Sequence, residues 1–264
     1  MSIPYPDGDS RLFSLLQYAV TRNNSYPALI LRSRPSGEHR DVWLLADDAG
    51  LLRVTVFGGP KSRLRSYASP FHSGQAWVYH DPSKDNRKLT DFDVQSWRPG
   101  LRELYERAMA ADAVAETVLE SHGGGGNWGE ALALTEAALD TLAIADNESC
   151  VRILPHFLWQ WAGFLGLRPD LNCCSQCGKP APANATIKYF PAEGGVVCSA
   201  CQGDYQGGFY EAGPGCRRWL EAAQQLSPAQ PGSSLDGASF RQARSLVTAV
   251  LAEALGKRLA SWEW

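Results

Sequence analysis

Between Tyr26 and Lys61 the chain reads YPALILRSRPSGEHRDVWLLADDAGLLRVTVFGGPK. Three short apolar or alternating runs stand out, residues 28–32 (ALILR), 42–46 (VWLLA) and 51–57 (LLRVTVF). Turn formers break them apart: Pro35-Ser36-Gly37, Asp47-Asp48-Ala49-Gly50 and Gly58-Gly59-Pro60. β-rich runs of this length bounded by Gly, Pro and Asp read as strands. Two more follow, at 75–79 (QAWVY) and 89–97, with Asp81-Pro82-Ser83 before the last. Five strands in about 70 residues predict a small antiparallel barrel. The longer interval at 61–74 leaves room for a loop and a helical turn. An OB-fold fits this count, and an SH3-like barrel fits it almost as well.

Beyond Pro99-Gly100 the apolar period becomes helical. Leu101, Leu104, Tyr105, Ala108, Ala115, Val118 and Leu119 predict a helix over 101–121. Gly123 to Gly126 stop it; Asn127 caps a second helix to Ile144, and a third runs over 148–165 with Pro155 as a kink or break. Trp159 and Trp161, two apart, cannot share a helix face, so one is read as core and the other as a domain contact. Residues 227–237 (SPAQPGSSLDG) form a loop or linker, and 239–259 is again helical. At the N-terminus, Leu12, Leu15, Leu16 and Ala19 predict an amphipathic helix capped by Asp9 or Ser10.

The length, 264 residues, matches about two domains of roughly 150 residues. A 44% apolar share and 20% charged residues describe a folding chain rather than a disordered one. The net charge of −3 points to no partner by itself, but it is unevenly spread. Residues 1–98 hold 13 Lys or Arg against 10 Asp or Glu, and 99–264 hold 12 against 18. From Ala49 to His80 there is no acid, while Arg53, Lys61, Arg63 and Arg65 fall there. Asp7 and Asp9 stand where a signal peptide carries basic residues, and Arg152, Pro155, His156 and Gln160 interrupt the other apolar run, so a cytoplasmic protein without a membrane span is expected.

Seven cysteines are too few for a disulfide-stapled secreted domain, but four have a telling spacing. Cys174-Ser-Gln-Cys177 and Cys198-Ser-Ala-Cys201 make two C-x2-C knuckles, the four soft ligands of a tetrahedral structural zinc. Unmetallated knuckles or a redox dithiol are the alternatives, and Cys173 competes with Cys174 as first ligand. No His is followed by the Glu of a deaminase element, and four thiolates leave no open position for water, so the metal is expected to hold a fold together rather than catalyse. Cys150, with no His beside it in sequence, reads as a buried small hydrophobe.

Nucleotide-motor and hydrolase signatures are missing. The tetraglycine runs into Asn-Trp-Gly without the Gly-Lys-Ser/Thr ending of a phosphate loop, and reads as a helix-to-helix linker. G-x-S-x-G, H-E-x-x-H and EF-hand patterns do not occur. A ligase-like assembly of an OB-fold with a four-cysteine site fails for want of a Lys-x-Asp-Gly motif. The cations remain. Arg32 and Arg34 leave the first strand, Arg53 lies in the third, and Lys61, Arg63 and Arg65 follow a turn. On a small barrel they can track a phosphate backbone, with Trp43, Phe57, Tyr67 and Phe71 as stacking surfaces if they point outward. The bland reading makes the aromatics barrel core and the cations a solvated face. The absence of acids over some thirty residues favours the first, because a solvated face mixes signs.

These residues resemble the RecO family of bacterial recombination mediators. The resemblance is carried by residues 28–38 (ALILRSRPSGE), 50–53 (GLLR), 58–63 (GGPKSR) and 101–107 (LRELYER). It continues in 166–171 (GLRPDL), which runs into Cys174-x2-Cys177-Gly178, and in Gly194-Gly195 before Cys198-x2-Cys201. It implies an α+β multidomain protein: an N-terminal OB-fold at 26–98 that binds DNA, then an α-helical domain at 99–264 carrying a four-cysteine zinc-finger insertion at about 172–203. Residues 1–25 form an extension ahead of the family's usual start. The resemblance further implies a non-enzymatic mediator that binds single- and double-stranded DNA and anneals complementary strands. With RecR it helps load RecA onto DNA coated with single-strand-binding protein, whose acidic C-terminal tail it engages. DNA is expected against Arg32, Arg34, Arg53, Lys61, Arg63 and Arg65, with one structural Zn²⁺ on Cys174, Cys177, Cys198 and Cys201, in a cytoplasmic, nucleoid-associated protein. The competing class is an OB/zinc-ribbon protein- or RNA-interaction module without annealing activity.

Overall fold

The computed structural model describes residues 22–59, 61–84, 86–203, 207–226 and 235–263. The expected N-terminal helix and most of the 227–237 linker lie outside them. Strands β1 (Asn23–Ser36), β2 (His39–Ala46) and β3 (Gly50–Val56) form a meander. A short helix, α1 (Arg63–Tyr67), leads to the hairpin of β4 (Ser73–Asp81) and β5 (Asn86–Ser96). The strands close in the order β1-β2-β3-β5-β4, with β4 returning to β1 and one parallel pairing, Thr55 with Lys88, joining β3 to β5. A closed five-stranded barrel with a helix between its third and fourth strands is the OB-fold, which settles the choice left by the strand count.

The barrel interior is filled by Ile30, Val42, Leu44, Val54, Val56, Ala76 and Val78, at the period of two that strand geometry imposes, and by Leu89 and Phe92, three apart because β5 bulges between them. The run Ala28-Leu29-Ile30-Leu31 does not alternate, and the structure gives the reason. Leu29 and Leu31 point the other way, with Leu45, into a second core shared with the helices. Strand β1 is thus covered on both faces here, which is what a continuous apolar run signifies.

The second unit is helical. It comprises α2 (Tyr105–Glu120), α3 (Trp128–Ile144), α4 (Asn147–Phe164), the four-residue α5 (Ser199–Gln202), α6 (Pro214–Gln225) and α7 (Gly237–Leu255). The predicted first helix begins instead as a 3-10 turn, Pro99–Arg102. Asn127 does cap α3: its side-chain oxygen accepts from the Glu130 amide, and its side-chain NH2 donates to the Glu130 carboxylate. Pro155 lies inside α4 without breaking it. Trp159 and Trp161 are both fully buried, which corrects the expectation that one marks a domain contact. Helix α4 runs through the middle of the body, with α2 and α3 packed on it and α6 and α7 also against it, so opposite faces are equally covered. Each indole N–H has a partner, Trp159 on the Leu220 carbonyl and Trp161 on the Ser121 hydroxyl. No helix of the described residues is long and apolar enough to cross a membrane.

Barrel and body are joined by several contacts. The tetraglycine, beyond linking helices, lies on the barrel: a Cβ on Gly123 would meet Leu45 and Leu51, and one on Gly124 would overlap the Phe164 ring. All four of its glycines have positive φ, a backbone that side-chain-bearing residues rarely adopt. Arg98, at the end of the last strand, is buried between the two units. Its guanidinium donates to the Phe71 carbonyl at 2.8 Å, to Ser73 Oγ at 2.9 Å and to Asp140 Oδ1 at 2.6 Å, with Glu136 at 3.5 Å.

Candidate metal centre and nucleic-acid surface

The cysteine segment folds as a small three-stranded sheet, β6 (Ile187–Phe190), β7 (Gly195–Val196) and β8 (Tyr210–Ala212), ordered β7-β6-β8. Since β8 belongs to it, the element extends past the expected end at about 203. The first knuckle turns where the Gly178 amide donates to the Cys174 carbonyl at 2.9 Å, with Gly178 at φ +68. The second turns where the Cys201 amide donates to the Cys198 carbonyl at 3.0 Å. The Ser175 amide donates to the Val196 carbonyl at 2.8 Å and brings the two together.

The Sγ atoms of Cys174, Cys177, Cys198 and Cys201 all lie within 4.8 Å of one another, and those of Cys177 and Cys198 are 3.8 Å apart. A tetrahedral ion with metal–sulfur bonds near 2.3 Å has edges of about 3.8 Å, so the residues fit a single metal ion. Hydrogen bonds from knuckle amides, that of Cys198 foremost, hold the Cys174 thiol down at about 6. Hydrogen bonds with Cys177 and Cys198 push Cys201 up to about 12. Four thiols this close cannot all ionise unaided, and a divalent cation removes that conflict by taking them as thiolates. Cys173 faces away and donates to Asp170 at 2.9 Å, which decides the register in favour of Cys174. Cys150 and Cys216 are buried, and burial raises the pKa of both thiols.

The six cations assigned to nucleic acid lie on the barrel but not in one row. Residues Arg32, Trp43 and Arg53 are consecutive partners across β1, β2 and β3, and Arg34, Asp41 and Thr55 form the next rung. Arg53 pairs with Asp41 at 2.5 Å and lies over the Trp43 ring. The acid-free stretch of sequence thus acquires an acid from the neighbouring strand. Arg32 is half-buried, within electrostatic reach of Asp112 and Glu120 on α2. Arg34 and Lys61 are exposed. Arg63 donates to the Tyr67 hydroxyl at 2.7 Å, and Arg65 reaches the Gly58 and Glu38 carbonyls, tying α1 to the end of the β1–β2 hairpin. Of the four aromatics, Phe57 is exposed, Trp43 and Tyr67 are partly covered, and Phe71 is core.

Sequence reasoning missed Lys88, whose ammonium lies 4.9 Å from the Phe57 ring, as well as Arg102 and Trp97. The cluster Asn86-Arg87-Lys88 at the start of β5 was visible; its approach to Phe57 depends on the parallel closure at Thr55 and Lys88, which no local pattern announces.

The fold and the site define a two-unit protein, an OB barrel joined to a helical body that carries a four-cysteine cluster able to hold a metal ion. A family model described as Recombination protein O C terminal matches residues 102–263. The chain belongs to the RecO family of DNA repair proteins. It is 29% identical over 198 residues to the DNA repair protein RecO of Desulfitobacterium hafniense (strain DSM 10664 / DCB-2), covering 73% of this chain and 67% of that protein. It is 27% identical over 222 residues to DNA repair protein RecO of Synechococcus elongatus, covering 80% and 79%. With DNA repair protein RecO of Anaeromyxobacter sp. (strain Fw109-5) the identity is 28% over 254 residues, 92% and 95% of the two chains.

Proposed function

We propose that the chain is a non-enzymatic mediator of recombinational repair in the bacterial cytoplasm. It binds single- and double-stranded DNA, anneals complementary strands and, with RecR, helps load RecA onto DNA coated with single-strand-binding protein, whose acidic C-terminal tail it engages. The observation that carries this reading is the rim of cations at one end of an OB barrel, Arg34, Lys61, Arg63 and Arg65, in a chain of a DNA repair family. Cations on such a rim displace the counterions of a phosphate backbone and let two strands approach without repulsion. Arg34, Lys61 and Arg63 are exposed and Arg65 is half-buried on the Gly58 and Glu38 carbonyls; Arg53, already paired with Asp41, and half-buried Arg32 contribute less than these four. Residues 26–98 act as the DNA-binding unit and 99–264 as the body that meets protein partners. Cys174, Cys177, Cys198 and Cys201 hold one zinc ion, which supplies a structural cross-link and no open coordination position.

Converting Lys61, Arg63 and Arg65 together to Glu is expected to lower the affinity for DNA of either form and to flatten its salt dependence by about 2–3 in the log–log slope. Binding isotherms identical to those of the unaltered protein would exclude this surface as the DNA contact.

A further inference from the structure

The described exposed aromatics of the barrel have very different surroundings. Phe57 is flanked by His39, at 4.4 Å between ring centroids, and by the Lys88 ammonium. Trp77 stands directly across the ladder from Asp91, a carboxylate that repels phosphate. Trp97, just past β5, is 45% exposed, and its ring neighbours are Tyr67 and His72. The edge-to-face contacts of its indole with Tyr67 (5.5 Å, 82°) and with buried His72 (4.8 Å, 65°) hold the ring in place.

The cations near those rings are likewise fixed. Arg63 and Tyr67, four apart on α1, share a face; the guanidinium lies 5.6 Å from the Tyr67 ring centroid and bonds its hydroxyl. Arg102 donates to the Pro70 carbonyl at 3.0 Å, in the turn that leads to His72. Burial lowers the His72 pKa, and the Arg102 and Arg98 charges, within electrostatic reach of the imidazole, act in the same direction. Glu103, the acid next to Arg102 in sequence, is turned to Arg107.

We propose that Trp97 is a base-stacking residue, on which an unpaired nucleobase lies while Arg63 and Arg102 hold the phosphates on either side of it. The proposal rests on the DNA-binding reading above and adds to it a preference for single strands. A fixed aromatic whose ring partners, Tyr67 and His72, each have a tethered guanidinium group nearby suits an unstacked base, because the ordering of the side chains precedes binding and every base has a π-face. A paired base inside a duplex has no free face to offer, so double-stranded DNA meets only the cations. Arg63 is common to this site and to the rim that begins at Arg34 and Arg65, so a single strand passing over α1 connects them.

The experiment compares Trp97→Ala, Trp97→Phe and the unaltered protein on an oligothymidylate and on a duplex of equal length across a salt series. Trp97→Ala is expected to weaken oligothymidylate binding about ten- to a hundredfold, with duplex affinity and both salt slopes unchanged because no phosphate contact is lost. Trp97→Phe should retain most of the single-strand affinity. Single-strand affinity unchanged in Trp97→Ala, or equal losses on single strand and duplex, overturns the proposal. Should Trp97→Ala melt early, ultraviolet cross-linking of the unaltered protein to an oligonucleotide bearing 5-iodouracil decides the matter: adducts on the peptide containing Trp97 support the proposal, and adducts confined to other peptides overturn it. If the unaltered protein binds neither DNA form, the DNA-binding reading itself falls and takes this one with it.

Discussion

Arg98 joins two kinds of observation, a buried charge and a strained backbone. Phe71, whose carbonyl it holds, has φ +72, a conformation rare for a bulky residue. The Phe71 amide donates to the Ile30 carbonyl at 2.7 Å, and the Ile30 amide to the His72 carbonyl at 2.9 Å. The strained turn is therefore pinned from β1 on one side and from Arg98 on the other. Replacing Arg98 with Met removes charge-assisted hydrogen bonds and leaves a buried carbonyl unpaired, for an expected loss of about 1.5–3 kcal/mol in urea denaturation. An unchanged unfolding midpoint would contradict the role assigned to it. Nothing in the local sequence marks this residue, because its partners lie 25 to 42 positions away. The four clustered cysteines are the opposite case: their spacing is local, and only the choice between Cys173 and Cys174 needed three dimensions.

At the scale of elements, legibility followed the range of the contacts. The hairpin strands, the Asn127 cap and the C-x2-C knuckles are set within a few residues of themselves and were readable. Strand β1 runs from Asn23 to Ser36, well beyond the apolar run at 28–32, because β4 pairs with its start and β2 with its end. Helix α6 was missed although Cys216, Trp219, Leu220 and Ala223 repeat at helical spacing behind Pro214. Flanking glycines and the following linker obscured it. One face of the four-cysteine element, Ile187, Tyr189, Val196 and Ala212, is buried in the main core, but the knuckles themselves rest on Cys174, Phe190 and Val197 with little else, too small a cluster to order them alone. Its order is expected to depend on the metal. Purified protein should carry about one zinc per chain, and Cys198→Ser or chelation should release it and open the knuckles at 173–180 and 197–203 to limited proteolysis while the barrel stays protected. Protein never exposed to chelator that contains no metal, or an element equally protected without it, would refute this.

Over the whole molecule the near-neutral total hides a charge division that the fold partly respects. The barrel half carries the excess of cations and the helical half the excess of acids, and their junction brings the half-buried Arg32 within reach of Asp112 and Glu120. Folding also moved Asp41 next to Arg53, so the acid-free stretch is less uniformly basic than its sequence suggests. What stays open is the rim at α1 and the β1–β2 hairpin, together with Trp97 and Arg102. On the proposed reading this surface meets nucleic acid by charge and by stacking, and the body is left for protein partners. The most direct test is strand annealing: two complementary oligonucleotides, bare or coated with single-strand-binding protein, mixed with the purified chain at low and moderate salt. Annealing is expected to run faster than the spontaneous rate in both cases and to fall steeply as salt rises. Annealing no faster than the spontaneous rate at low salt, with folded and metal-loaded protein, would contradict a mediator that works by charge neutralisation on the barrel.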